Sequence, residues 1–131
     1  MINYDIPNKV LSRFQPQPAM LDFNDLDFQP HRSTNDAVQA RLDFDNGLSI
    51  SVVAGKDGRP GLYGSIEEDL YEVAIFDENG MIPLSVSDDV LGWQSPVQVS
   101  ALMRDAQLNG SAWVDLLKKL RKDFRDDLDL D

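Results

Sequence analysis

A catalytic chain needs convergent reactive groups, and the candidates here are one histidine, three runs of adjacent carboxylates and a glycine-rich loop. His31 stands between Pro30 and Arg32 in an irregular segment and reads as an ordinary surface residue. With no second histidine and no cysteine, a His-paired base, a histidine-rich metal site, a thiolate nucleophile and a cysteine zinc site all lack material. Glu67-Glu68-Asp69, Asp88-Asp89 and Asp126-Asp127 supply neighbouring acids of the kind that acid–base catalysis uses in pairs. Adjacent acids are nevertheless expected by chance in so acidic a chain. Asp43-Phe44-Asp45-Asn46-Gly47 has an oxygen-rich look, but counting from Asp43 puts the glycine one position too early for an EF-hand loop. Gly58-Arg59-Pro60-Gly61-Leu62-Tyr63-Gly64 lacks the Gly-Lys-Ser/Thr ending of a phosphate loop. The chemistry-bearing residues therefore predict no enzyme, no cofactor and no metal site.

Charge says more. Twenty-three acids against twelve bases give −11 and an isoelectric point near 4.3. Phosphate polymers and anionic membranes need Lys and Arg to displace their counterions, so this field disfavours direct nucleic-acid or membrane binding and favours a basic protein partner. The acids comprise 19 Asp and only 4 Glu, and Asp is the residue of turns and caps, so the charge should sit on loops and helix ends. It is also unevenly spread: residues 1 to 117 hold 18 acids and 7 bases, while residues 118 to 131 hold five of each. A chain of 131 residues that is 42% hydrophobic suffices for one core and is short for two. No apolar run approaches a membrane span and no leader pattern is evident, which predicts a cytoplasmic location.

The elements that would position these residues follow from periodicity. Residues 1–36, punctuated by Pro7, Pro16, Pro18 and Pro30, read as an irregular acidic arm. Inside it the near-repeat Leu21-Asp22-Phe23 and Leu26-Asp27-Phe28 around Asn24-Asp25 has two readings. Either its Leu and Phe side chains pack over the domain with the Asp residues in water, or it is a docking segment. From Ala37 to Val52 apolar and polar residues alternate across Asp45-Asn46-Gly47, a hairpin signature. A third strand is predicted over Leu70–Phe76, and a fourth over Met81–Val86 after the turn Asp77-Glu78-Asn79-Gly80. Ser95-Pro96-Val97-Gln98 combines a capping Ser, a Pro at the first helical position and a Gln able to reach back, starting a helix that ends at Asn109-Gly110. A second helix from Ser111 aligns Trp113, Leu116, Leu117, Leu120 and Phe124 on one stripe opposite Lys118, Lys119, Arg121, Lys122 and Arg125. The predicted architecture is α+β: an antiparallel meander of about four strands covered by two C-terminal helices over residues 37–125, with the arm before it and an acidic tail, 126–131, after it.

From Phe44 to about Arg104 the motifs run in the order Phe44, Asn46-Gly47, Ser51-Val52-Val53, the glycine loop, Tyr71-Glu72-Val73-Ala74-Ile75 with Asp77 and Gly80, and Asp88-Asp89-Val90-Leu91-Gly92-Trp93 before a helix. That order resembles a family of small tailed-bacteriophage proteins. Where those proteins often read Pro-Ile-Thr before Asp-Asp-Val, this chain has Ser85-Val86-Ser87, and the acidic arm and terminal segment are additions. No activity is established for that family, so the resemblance implies a setting, the cytoplasm of an infected bacterium, and no catalytic residue. Small acidic phage proteins often interfere with host nucleic-acid enzymes or defence systems, sometimes by presenting carboxylates in place of phosphates. The expectation is therefore a non-catalytic, DNA-mimicking inhibitor or modulator of a basic, nucleic-acid-handling host protein. Its expected contacts are the acids Asp22, Asp25, Asp27, Glu67, Glu68, Asp69, Asp88 and Asp89, with Phe23, Phe28, Tyr63 and Trp93 as aromatic anchors. The alternative is a virion or assembly accessory acting through homo-oligomeric contacts of the C-terminal helix.

Overall fold

The computed structural model describes residues 20–56, 62–85 and 87–129. Residues 1–19 of the arm, most of the glycine loop and Val86 thus lie outside the described residues. A 3-10 turn, Phe23–Asp25, precedes β1 (Gln29–Pro30), β2 (Ala37–Asp43), β3 (Ser49–Gly55), β4 (Tyr71–Asp77), β5 (Gly80–Met81), β6 (Val90–Gln94) and a helical run α1 (Pro96–Asp129). All strand pairs are antiparallel in the order β1-β2-β3-β4-β5, and β6 shares with β5 the outer side of β4.

The hairpin forms where the alternation placed it, with Ala37 opposite Gly55 and Asp43 opposite Ser49. Because side chains alternate across a sheet, this register sends Ala40, Ile50, Val52, Ala54, Val73 and Ile75 to one face, where all are buried. Val99, Met103 and Ala106 of α1 close that face and are fully buried. Burying a side chain such as Ile50, Ile75 or Met103 stabilises by about 1.5–3 kcal/mol each.

Two expectations about the strands need correction. The fourth strand stops at Met81 instead of running to Val86, and Ile82, with its N–H on the Ile75 carbonyl, turns into the core ahead of Pro83. Proline cannot donate to a ladder, so the chain leaves the sheet there. Val90–Gln94 takes the vacated side of β4, which makes a strand of the segment expected to do no more than lead into the helix. At the opposite edge the arm contributes a strand too, Gln29 and Pro30 pairing with Gln39 and Val38.

The helix starts as predicted. Ser95 Oγ accepts from the Gln98 N–H (3.2 Å), Gln98 Oε1 accepts from the Ser95 N–H (2.8 Å), and Pro96 opens the run. The two predicted helices are realised as one run from Pro96 to Asp129, interrupted at Gly110, whose φ of 50° and ψ of −129° are not helical. An interrupted ladder leaves carbonyls without their usual N–H partners. Asn46, from the β2–β3 turn, donates its Nδ2 to one of them, the carbonyl of Ala106, at 2.7 Å. Beyond the break Val114 is buried, Trp113 and Leu117 pack against the core, and the helix runs through Asp126-Asp127 instead of ending at Arg125.

The second half of α1 is pinned to the sheet by charge. Arg121 donates from Nη2 to the carbonyls of Ser85 (2.6 Å) and Asp88 (2.7 Å) and pairs through Nη1 with the Asp89 carboxylate. Lys118 reaches Asp77 at 3.3 Å. The Asn79 N–H foremost, with Lys118 adding to it, holds the Asp77 carboxyl below the usual carboxylate range. That contribution is present above the unfolded carboxylate pKa and disappears as pH falls through the folded one.

Gly110 gives a test whose sign is informative. In a continuous helix Gly→Ala stabilises by about 1 kcal/mol, whereas at a positive φ the new Cβ is strained by about 1–3 kcal/mol. Its Cβ would also lie 3.4 Å from Asn46 Nδ2. Urea denaturation of Gly110→Ala is expected to show destabilisation, and a more stable variant would mean that the run is straight.

Candidate functional site

The arm does not hang free from Met20 onward. Asp22 caps the 3-10 turn, accepting from the Asn24 N–H at 2.8 Å, while Asp25 Oδ2 accepts from the Asp22 N–H at 2.8 Å. The turn is tied to α1: the Phe23 N–H donates to Ser100 Oγ (3.0 Å), and Gln107 bonds both the N–H (2.9 Å) and the carbonyl (2.7 Å) of Leu21. Phe23 and Phe28 thereby meet Tyr71 at the start of β4, in a triangle with ring centroids 5.8, 5.0 and 5.3 Å apart. These two phenyl rings, expected as anchors for a partner, are half-buried against the chain's own core. The packing reading of the Leu-Asp-Phe repeat is the one the structure adopts, with Asp25 and Asp27 exposed beside the rings and Asp22 half-buried as the cap.

Tyr71 links this triangle to a second acidic segment. Its hydroxyl donates to Asp69 Oδ1 at 2.7 Å. Asp69 ends the loop Leu62–Leu70, which is fastened by Ser65 bridging to Gly55 and Leu70 and by Ser65 Oγ donating to Glu67 at 3.1 Å. Burial of the phenol and the neighbouring Asp69 carboxylate push the Tyr71 pKa up to about 12. Two of the three acidic segments, Asp22/Asp25/Asp27 and Glu67/Glu68/Asp69, therefore meet at one end of the sheet. Asp88 and Asp89 do not join them: they belong to the loop before β6 and are held by Arg121.

The loop that carries Glu67–Asp69 also carries Tyr63, and Tyr63 is joined to Trp93. Opposite Glu72 the β4–β6 ladder slips, so that Gly92 and Trp93 together face a single residue of β4. The Trp93 N–H turns away to donate to the Tyr63 carbonyl at 2.7 Å, and Trp93 takes a φ of 56°. A bulky side chain in the left-handed region is an uncommon, strained arrangement, and bulges re-aim side chains. Gly92 is needed here, since a Cβ on it would lie 2.5 Å from that of Tyr63. The result is an outward pair, Tyr63 53% and Trp93 48% exposed, beside the acidic loop.

The ion pairs sharpen the contrast. All four formed among the described residues use bases of α1: Lys118–Asp77, Lys119–Asp123, Arg121–Asp89 and Lys122–Asp126. None engages Asp22, Asp25, Asp27, Glu68 or Asp69, so the negative field at the arm end is not neutralised by these bases.

The helix-free face of the sheet holds a separate, shallow cleft of about 230 Å³, around Gln39, Arg41, Ser51, Glu72 and Phe76. Arg41 stacks on Phe76, 5.1 Å from its centroid, and Gln39 Nε2 donates to Ser51 Oγ at 2.9 Å. His31 reaches its rim, but Nδ1 accepts from the N–H groups of Ser33 and Thr34, a turn-capping role. None of the residues expected from sequence to bind a partner lines this cleft, although polar residues alternating with the core positions of β2 to β4 signal that face. Among the described residues no three His, Cys, Asp or Glu side chains are placed to hold a metal, and no helix is long and apolar enough to cross a membrane. Comparison with protein-family models, curated proteins and solved structures finds no match to the chain.

The Tyr71 hydroxyl provides a direct check on the junction. An unfolded tyrosine ionises near 10 and the folded Tyr71 near 12. Its contribution to stability is therefore complete below pH ~10 and is lost as pH rises towards ~12. Ultraviolet titration should show one late phenolate step, absent from Tyr71→Phe; a full complement of steps near pH 10 would show that this junction does not form.

Proposed function

We propose that the chain is a non-catalytic, phage-encoded binding protein that inhibits or modulates a basic, nucleic-acid-handling or defence protein of the host. In this reading the arm end of the sheet is the contact surface, and its carboxylates occupy positions where the partner otherwise holds phosphates. The carrying observation is the sorting of charge: four of the six bases of α1 are committed to ion pairs, while Asp22, Asp25, Asp27, Glu68 and Asp69 stay clear of them around one aromatic junction. Such a field speeds and orients encounter with a basic surface. Affinity then needs anchors, and Tyr63 and Trp93 provide exposed aromatic area of the type that dominates interface energetics. Asp89 takes a lesser part, since Arg121 pairs with its carboxylate, and Asp88, whose backbone carbonyl accepts from the same guanidinium, lies away from the arm end.

Immobilised protein exposed to bacterial lysate should retain nucleic-acid-binding proteins at low salt and release them on addition of salt or duplex DNA. The combined variant Asp22→Asn, Asp25→Asn, Asp27→Asn, Glu68→Gln should slow association. Trp93→Ala should weaken binding by on the order of tenfold or more. Failure to retain any basic protein at low ionic strength, or retention indifferent to both salt and DNA, would sink the reading.

A further inference from the structure

We propose that two copies of this chain pair through the second half of α1, apolar ridge against apolar ridge. This interface is independent of the acidic end. Leu116, Leu120, Phe124 and Leu128 recur at every fourth position and are 54, 49, 40 and 59% exposed. The helix turns a different side inward, with Val114 buried and Trp113 and Leu117 against the core, so the domain's own packing leaves this ridge uncovered. After the half-buried Arg121 every residue from Lys122 to Leu128 is exposed, and the last two turns project beyond the domain. Most helical stability in proteins comes from packing an apolar face, which these turns lack, and acids in the final turn oppose the helix dipole. The projecting end therefore needs a cover.

Charge identifies the cover. The body of the chain, residues 1 to 117, carries 18 acids and 7 bases, whereas residues 118 to 131 carry five of each. Two such bodies repel one another, and the terminal helix is the balanced surface at which they can meet. The ridge is bordered by both signs, in the one-turn pairs Lys119–Asp123 and Lys122–Asp126, which a second copy can match by exchanging partners. A nucleic acid is repelled by the body, and a basic partner is drawn to the body in preference to this helix. Rows of side chains at fourth positions interlock when two helices cross at about −50°. The midpoint of the ridge falls between Leu120 and Phe124, so a two-fold axis there sets Leu120 of each copy beside Phe124 of the other.

Sedimentation equilibrium of the full chain over a range of concentrations should give the mass of two chains. Added salt should tighten the pair, because it screens repulsion between acidic bodies, the reverse of its effect on a basic partner. Leu120→Asp places a charge on the axis twice and should weaken pairing at least about a hundredfold. Circular dichroism should show the domain still folded, with loss of helical signal confined to the projecting turns, since Leu120 is half exposed and outside the core. A monomer at every concentration and salt, a pair that loosens with salt, or a pair that survives Leu120→Asp combined with Phe124→Ser would each overturn the proposal.

Discussion

The structure depends on one interruption. If α1 ran straight from Pro96 to Asp129 it would extend on the order of 50 Å, far beyond what a small sheet can cover. Gly110 leaves helical geometry, and Asn46 meets a carbonyl of the turn before the break. The first half can then lie on the sheet with Val99, Met103 and Ala106 in the core. The second half sets off in its own direction, low enough for Arg121 and Lys118 to reach the loops around β5. The hairpin that begins the fold thus also sets where the helix breaks, which couples residues about sixty positions apart.

Much of this was legible in sequence because the signals were local. Alternation from Ala37 to Val52, an Asn-Gly turn, a Ser-Pro-x-Gln start and a glycine after a complete amphipathic pattern each report a few neighbouring residues, and each corresponds to an element that formed. The misreadings concern relations over longer distances. Val90–Gln94 is too short and too glycine-marked to stand out, and is a strand only because Pro83 removes its competitor from the side of β4. Gln29–Pro30 became an edge strand because the arm, drawn in by Phe23 and Phe28, passes β2 on its way into the hairpin.

The candidate site divides the same way. Acidity, and the aromatic residues beside it, could be read directly; which acids keep company could not. Asp89 and Asp69 look alike in sequence, yet one is bound by a guanidinium and the other accepts a buried phenol. Tyr71, which joins the two acidic segments, was legible only as an inward-facing strand residue. Its hydroxyl reaches the end of the loop because Leu70 bridges to Ser65 and brings Asp69 alongside. The basic stripe of α1 illustrates the converse, since most of what looked like a free cationic face is consumed within the chain.

The slipped ladder at Gly92 and Trp93 has a bearing on solubility as well. A sheet edge offers unpaired backbone groups that can recruit another chain into an endless stack. Here one edge is two residues long and ends on a proline, and the other is broken where the Trp93 N–H turns to Tyr63 and Gln94 Nε2 covers the Gly92 carbonyl. Both outermost strands are thereby poor templates for fibril growth, and the border that remains is the short stretch of β2, residues 40–43, that β1 does not cover.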